Sequence, residues 1–273
     1  MSKVEGRIEG KEEEKRKKIT LKVYRTNYNS KKESSHYDEF EVPVNRWTTV
    51  LDALLYAKNN SDSSIAIRYS CRMASCGSCG MNINGKPSLA CYTKISELNK
   101  DVVVCEPLSN FPRIRDLVTD FAQFFNHHKK MEPFIHNDKI SLEVKDKNDL
   151  VEFEQTPEML DKYLQFSYCI RCGLCYSACP TVATDANFPG PQALSQAYRY
   201  IADSRDNDKS SRFKIIDERH GIWRCHFAGS CSFVCPKGVD PALGIQLLKG
   251  QMLGISKNNK KISNLRIKDK DKQ

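Results

Sequence analysis

The chain has 273 residues, 12 cysteines and a formal net charge of +9 at pH 7. That length supplies two modest domains with their own cores, so the fold does not depend on disulfide staples. Residues 1–18 carry seven Lys/Arg and five Glu and residues 256–273 carry seven Lys/Arg and two Asp; these ends hold +7 of the +9, which leaves a near-neutral body and argues against an extended nucleic-acid footprint.

Both ends read as solvated tails. The N-terminus lacks an apolar signal core, and its five glutamates argue against an organelle transit segment. No stretch reaches the roughly 18 apolar residues of a membrane span, since even residues 245–255 are interrupted by Lys249. The expectation is a cytosolic or cytosol-facing chain that meets any membrane through partners.

In chain order, Ile19, Leu21 and Val23 alternate with polar neighbours as in a half-buried strand. A polar turn over residues 27–34 and the run YDEFEVPV complete a hairpin. Thr48 or Thr49 is placed to cap the helix VLDALLYAKNN, whose Leu51, Leu54 and Leu55 recur at helical spacing. SIAIRY and a cysteine loop follow, then MNINGKPSLAC with Asn84-Gly85 as its hairpin turn, and DVVVCEPL as a closing strand. Two strands, a crossing helix and returning strands form a β-grasp pattern over residues 19–112.

From residue 113 the periodicity turns helical. IRDLVTDFAQFF places Leu117, Phe121, Phe124 and Phe125 on one face, and TPEMLDKYLQF begins with Thr156 as cap and Pro157 at the first helical position. PQALSQAYRYIADSR continues through Leu194, Ala197, Tyr198 and Ile201, and Asp240-Pro241 opens a last helix. The expected fold class is α+β: a β-grasp, plant-ferredoxin-like domain, then an all-α, bacterial-ferredoxin-like domain over residues 113–255, with charged tails at 1–18 and 256–273.

Eleven of the twelve cysteines fall into three dense groups, as metal sites do and extracellular disulfide frameworks do not. Cys71, Cys76 and Cys79 have the C-x4-C-x2-C spacing of a plant-type [2Fe-2S] centre, and Cys91 lies where the hairpin returns. Gly77 and Gly80 would let backbone N–H groups approach the sulfurs. Zinc also accepts four thiolates, but the four-residue first spacing is unusual for it.

The second group, CIRCGLCYSACP, is a complete C-x2-C-x2-C-x3-C-P run, in which three cysteines hold one cubane and the fourth ligates another. That rule demands a second run, and CHFAGSCSFVCP is it, with Ala228 in the second ligand place. The crossed pattern assigns Cys169, Cys172, Cys175 and Cys235 to a [4Fe-4S] cluster. Cys179, Cys225 and Cys231 remain, and three thiolates without a substitute ligand suit a [3Fe-4S] cluster. Cluster type and net charge set the potential, so three groups of different type suggest a graded electron wire.

The loop CGSCGMNINGKPSLAC, the cysteine-proline run, AYRYIADSRD, RCH before the third group and CPKGVDP after it resemble the iron–sulfur subunit of succinate dehydrogenase and the related fumarate reductases, over about residues 19–255. The resemblance implies an electron-transfer subunit that connects a FAD-containing flavoprotein, where succinate becomes fumarate, to quinone in a membrane anchor. It implies the same three ligand sets, with peripheral attachment at the cytoplasmic face of the cell membrane. Near the three-iron cluster the family has a proline, a histidine and a tryptophan. Pro180 and His226 match, Thr184 stands where the tryptophan is usual, and Trp223 is the alternative indole, which could instead be buried and structural.

The alternatives are a fumarate reductase subunit and a stand-alone multi-cluster carrier. Cys105 reads as a buried apolar thiol, and His127 and His128 as residues that follow a helix and face water or cap its C-terminal end. No Ser-His-Asp or G-x-G-x-x-G signature stands out, so dicarboxylate catalysis is not expected in this chain.

Overall fold

The computed structural model describes residues 17–27, 34–137 and 153–254. The remainder of the expected tails and the turn between the first two strands lie outside the described residues. β1 (Lys17–Asn27) and β2 (Ser34–Val44) pair antiparallel, with Lys17 opposite Val44. Lys17 and Lys18 thus belong to the sheet rather than to the charged tail.

Thr49, not Thr48, caps α1 (Val50–Asn60). Its hydroxyl accepts from Asp52 N while the Asp52 carboxylate accepts from Thr49 N, a reciprocal capping box. Leu51 and Leu54 are buried along the face expected of them. β3 (Gly80–Ile83) and β4 (Lys86–Leu89) are joined through Asn84 and Gly85 at φ 50° and 79°, the left-handed pair that matches strand twist in a tight hairpin.

A short helix, α2 (Ile95–Leu98), precedes β5 (Val102–Glu106), which lies between β1 and β3, parallel to the first and antiparallel to the second. The sheet order is β2-β1-β5-β3-β4, a β-grasp sheet. Its two central strands bury Leu21, Val23, Val103 and Cys105 completely.

Over residues 113–121 the structure differs from the sequence expectation. β6 (Arg113–Arg115) and β7 (Val118–Thr119) form a small hairpin instead of helix. The buried Asp116 carboxylate accepts from Thr26 N and Ala66 N, at 2.9 Å each, and faces Arg25 Nε at 3.4 Å. Satisfying those buried groups across the fold overrides the local periodicity. The helix starts only at α3 (Ala122–Lys130), so Leu117 and Phe124 are both buried but share no helix face, and Phe125 is exposed.

The next expected helix is also interrupted. α4 (Pro157–Asp161) keeps the Thr156 cap and Pro157, but α5 (Leu164–Ser167) is separate. Between them Tyr163 turns inward, its hydroxyl donating to Gln155 Oε1 and accepting from Arg205. Then come α6 (Leu174–Ser177), α7 (Pro180–Thr184), α8 (Gly190–Ile201), α9 (Lys209–Ile216), α10 (Ser230–Phe233) and α11 (Pro241–Met252). α8 is the axis of this half: it is buried from Gly190 through Tyr198, and α3, α5, α6, α9 and α11 pack around it. No helix among the described residues is long and apolar enough to cross a membrane.

The halves meet at the second cysteine loop. Phe111 stacks on Phe121 at 4.4 Å between ring centroids and meets Tyr176 at 4.9 Å, contacts of about 0.5–1.5 kcal/mol each beyond burial. Asn110 Nδ2 donates to the carbonyls of Tyr176, Ser177 and Cys179, at the end of α6 and the start of α7, and so ties the first half to the second.

Candidate metal centres

The first loop wraps its sulfurs in backbone amides. Cys71 Sγ accepts from the N–H groups of Met73, Ser75 and Cys76 at 3.2–3.4 Å. Cys91 Sγ accepts from Ala74 N at 3.3 Å, and Cys79 Sγ from Cys91 N at 3.4 Å. Left-handed Arg72 and Ala74 turn the backbone this way. The Ser78 side chain, followed by backbone donors, holds the Cys76 thiol down at about 6, whereas burial pushes Cys79 up to about 12. Amide-wrapped thiolates are the donor set of iron–sulfur clusters.

Gly77 also has a role that the spacing did not indicate. Gly77 is at φ 76°, and a Cβ there would lie 2.7 Å from Cys172 Cβ and 2.9 Å from Cys172 Cα. Its missing side chain lets the first loop touch the second.

In the helical half, two cavities divide the remaining seven grouped cysteines. Cys169, Cys172, Cys175 and Cys235 line one, together with Gln192. Cys179, Cys225 and Cys231 line the other, with Ala228 in its wall. Burial pushes the thiols of Cys169, Cys172, Cys175, Cys179 and Cys231 up, and within each cavity the thiols repel one another's charge. A thiolate is costly in such a place unless a cation offsets it.

The two loops are backbone copies. Arg171 and Phe227 sit at φ 54° and 58°, and Gly173 and Gly229 at φ 78° and 76°, immediately before α6 and α10. Ala228 therefore occupies in its loop the position that Cys172 holds in the other. Buried Cys175 and Cys231 pack together with Ala242 between the cavities. The three groups thus follow one another in space, the first touching the second at Gly77 and Cys172, the second touching the third at Cys175 and Cys231.

Among the described residues no group of His, Cys, Asp or Glu is arranged around a single-ion point. A cluster needs no such point, because its thiolates bind separate irons; the fit to clusters rests on spacing, donor chemistry and sulfur-directed amides.

Two family models match the chain, a 2Fe-2S iron-sulfur cluster binding domain over residues 20–126 and a 4Fe-4S dicluster domain over residues 165–239. It is 44% identical over 215 residues to the fumarate reductase iron-sulfur subunit of Haemophilus influenzae, covering 77% of this chain and 84% of that one. It is 37% identical over 237 residues to the succinate dehydrogenase iron-sulfur subunit of Coxiella burnetii, covering 86% and 97%. The chain belongs to this family of iron–sulfur subunits. Its fold is similar to that of a chain in the Mycobacterium smegmatis Sdh1 complex in the apo form, with a TM-score of 0.73 and 24% identity, covering 87% of this chain and 97% of that one.

As a family member, the chain places Pro180 and an exposed His226 at the three-cysteine cavity. Trp223 is neither buried nor in the cavity wall: it is 44% exposed, and its Nε1 donates to Asp217. Thr184 turns its hydroxyl back to the Pro180 and Thr181 carbonyls.

Cys105 is fully buried in β5, apart from the three groups, and burial pushes its thiol up to about 12. The histidines correct an expectation, since His127 and His128 lie inside α3 rather than after it, and His128 is buried with its Nδ1 3.2 Å from Gln192 Nε2. α8 supplies the cover that the local sequence does not reveal. Asn110, Tyr176 and Gln192 are site-supporting residues for which the cysteine spacing held no signal.

Proposed function

We propose that the chain is the electron-transfer subunit of a succinate:quinone oxidoreductase, with [2Fe-2S] held by Cys71, Cys76, Cys79 and Cys91, [4Fe-4S] by Cys169, Cys172, Cys175 and Cys235, and [3Fe-4S] by Cys179, Cys225 and Cys231. The clusters, when bound, supply one-electron redox chemistry. The observation that carries this reading is the unbroken succession of the three thiol groups through the Gly77–Cys172 and Cys175–Cys231 contacts.

The chain's own part is to hold each cluster, wrap its sulfurs in amides, and keep neighbouring sites in contact. Dicarboxylate chemistry belongs to a partner flavoprotein carrying FAD, and quinone to a membrane anchor that keeps this chain peripheral at the cytoplasmic face. Pro180 and His226 are the residues of this chain that we assign to the quinone end, where they border the three-cysteine cavity.

A second reading, the same wire in a fumarate reductase, is favoured by the higher identity to fumarate reductase subunits, 44% against 37%. Direction follows from the potentials of the partners, so assays of the purified complex with succinate and with fumarate separate the two. The cluster reading is tested by electron paramagnetic resonance (EPR) of mildly oxidised protein before any reductant is added. Oxidised [3Fe-4S] is paramagnetic, whereas oxidised [2Fe-2S] and ordinary [4Fe-4S] clusters are silent. A near-stoichiometric signal is expected; silence from a brown, fully iron-loaded sample would refute the three-iron assignment.

A further inference from the structure

Gln192 on α8 is a polar residue in an apolar place. It is 1% exposed, lines the cavity shared by Cys169, Cys172, Cys175 and Cys235, and its Oε1 has no hydrogen-bond partner. Its Nε2 lies 3.2 Å from Nδ1 of buried His128 on α3. An amide nitrogen is a donor only, so His128 Nδ1 is the acceptor and the ring carries its proton on Nε2.

Burial, then the charge of Arg171, pushes His128 down to about 4, which keeps the imidazole neutral and able to accept at physiological pH. One amide proton is thereby committed to His128, and the second is free. Placing a carboxamide with an unpartnered buried oxygen beside four thiols is costly for folding alone, and Gln192 shares the wall of this cavity with Cys169, Cys172, Cys175 and Cys235.

We propose that Gln192 is a positioning residue that tunes the second site: its carboxamide, oriented by His128, donates its remaining N–H toward the sulfurs of the cavity it lines and raises the reduction potential of the [4Fe-4S] cluster held there. The inference goes beyond the ligand assignment and rests on it. The physical basis is that reduction adds negative charge to a cluster and its sulfurs, so a donor aimed at a sulfur stabilises the reduced state more than the oxidised one. His128 acts one step removed, by fixing which end of the carboxamide faces the cavity.

The test is a redox titration of the purified complex, following the EPR signal of the reduced [4Fe-4S] cluster, with Gln192→Met as the variant because it keeps the volume and loses the donor. At fixed ambient potential the reduced-to-oxidised ratio of that cluster is expected to fall about three- to tenfold, tenfold being 59 mV for a one-electron couple, while the other two clusters keep their potentials. His128→Phe, which removes the acceptor and keeps a ring, should shift the ratio in the same direction by less. An unchanged or raised potential in an iron-replete Gln192→Met complex overturns the proposal.

If that variant loses its cluster, wild-type protein decides. With glutamine labelled with 15N at the side-chain amide, pulsed EPR of the reduced cluster should show a nitrogen coupling, because Gln192 is the glutamine that lines this cavity among the described residues. Absence of the coupling overturns the proposal. A wild-type complex with no reduced [4Fe-4S] signal at all would sink the cluster reading instead.

Discussion

Gly77→Ala sets a methyl group against the Cys172 loop. The new Cβ would lie 2.7 Å from Cys172 Cβ, 2.9 Å from its Cα and 3.4 Å from its N, so the atoms that must give way are backbone and the root of a side chain rather than a flexible side-chain tip. Two costs add. Holding alanine at φ 76° costs about 1–2 kcal/mol, and forcing the loops apart about 1–3 kcal/mol more, for about 2–5 kcal/mol in all. Gly85→Ala is the control: φ there is 79°, with nothing within 4 Å of the added carbon, so only the conformational cost of about 1–2 kcal/mol applies. The assay is urea unfolding of the loaded protein, with backbone circular dichroism and visible cluster absorbance followed separately, since a cofactor-bound protein of two domains need not unfold in one step. Gly77→Ala should lower the midpoint further than Gly85→Ala, and should release iron from the second group first. Equal shifts for the two substitutions would refute the claim that Gly77 is small so that the two sites can touch.

Ala228→Cys should place a fourth thiol at the three-cysteine cavity, because Ala228 occupies the backbone position that Cys172 holds in the other loop; the oxidised-state EPR signal should fall and one more iron per chain be retained, and an unchanged signal would refute the vacancy. Asp206→Ala should cost about 3–5 kcal/mol, since it strands the fully buried Arg212 guanidinium that Asp206 holds through two 2.8 Å bonds; a loss below about 1 kcal/mol in urea unfolding would show that the carbonyls of Glu132 and Phe134 suffice for that charge. Tyr37 donates to the Glu106 carboxylate, and this bond, then burial, pushes its phenol up to about 12. Its folded value lies above the usual 10, so its contribution to stability is complete below about pH 10 and is lost as pH rises through about 12. NMR titration of ring-labelled tyrosine should place the Tyr37 transition near 12 and that of the same residue in Glu106→Gln lower; a wild-type transition near 10 would refute the bond.

The β1 alternation, a threonine cap at residue 48 or 49, the Asn84-Gly85 turn and the helix opened by Asp240-Pro241 were all legible in the sequence, because each depends on neighbours within a few residues. The grouping of the cysteines was legible for a related reason. Cluster chemistry dictates ligand spacing, and the crossed pattern follows from chain direction through two copies of one loop.

Tertiary structure alone decided what depended on distant partners. Asp116 is claimed by Thr26, Ala66 and Arg25, so residues 113–119 form a hairpin where their periodicity favoured a helix. His128 is buried because α8 lies over it, and Gln192 acquires a meaning only beside that histidine and Cys169. Asn110 closes the carbonyls of a loop 66 or more residues away. The physical reason is one of scale: local propensities amount to about 1 kcal/mol or less per residue, whereas an unsatisfied buried polar group costs about 1–3 kcal/mol. The sequence grouped the thiols that we propose as cluster ligands; only the packing decided how those groups meet and which side chains surround them.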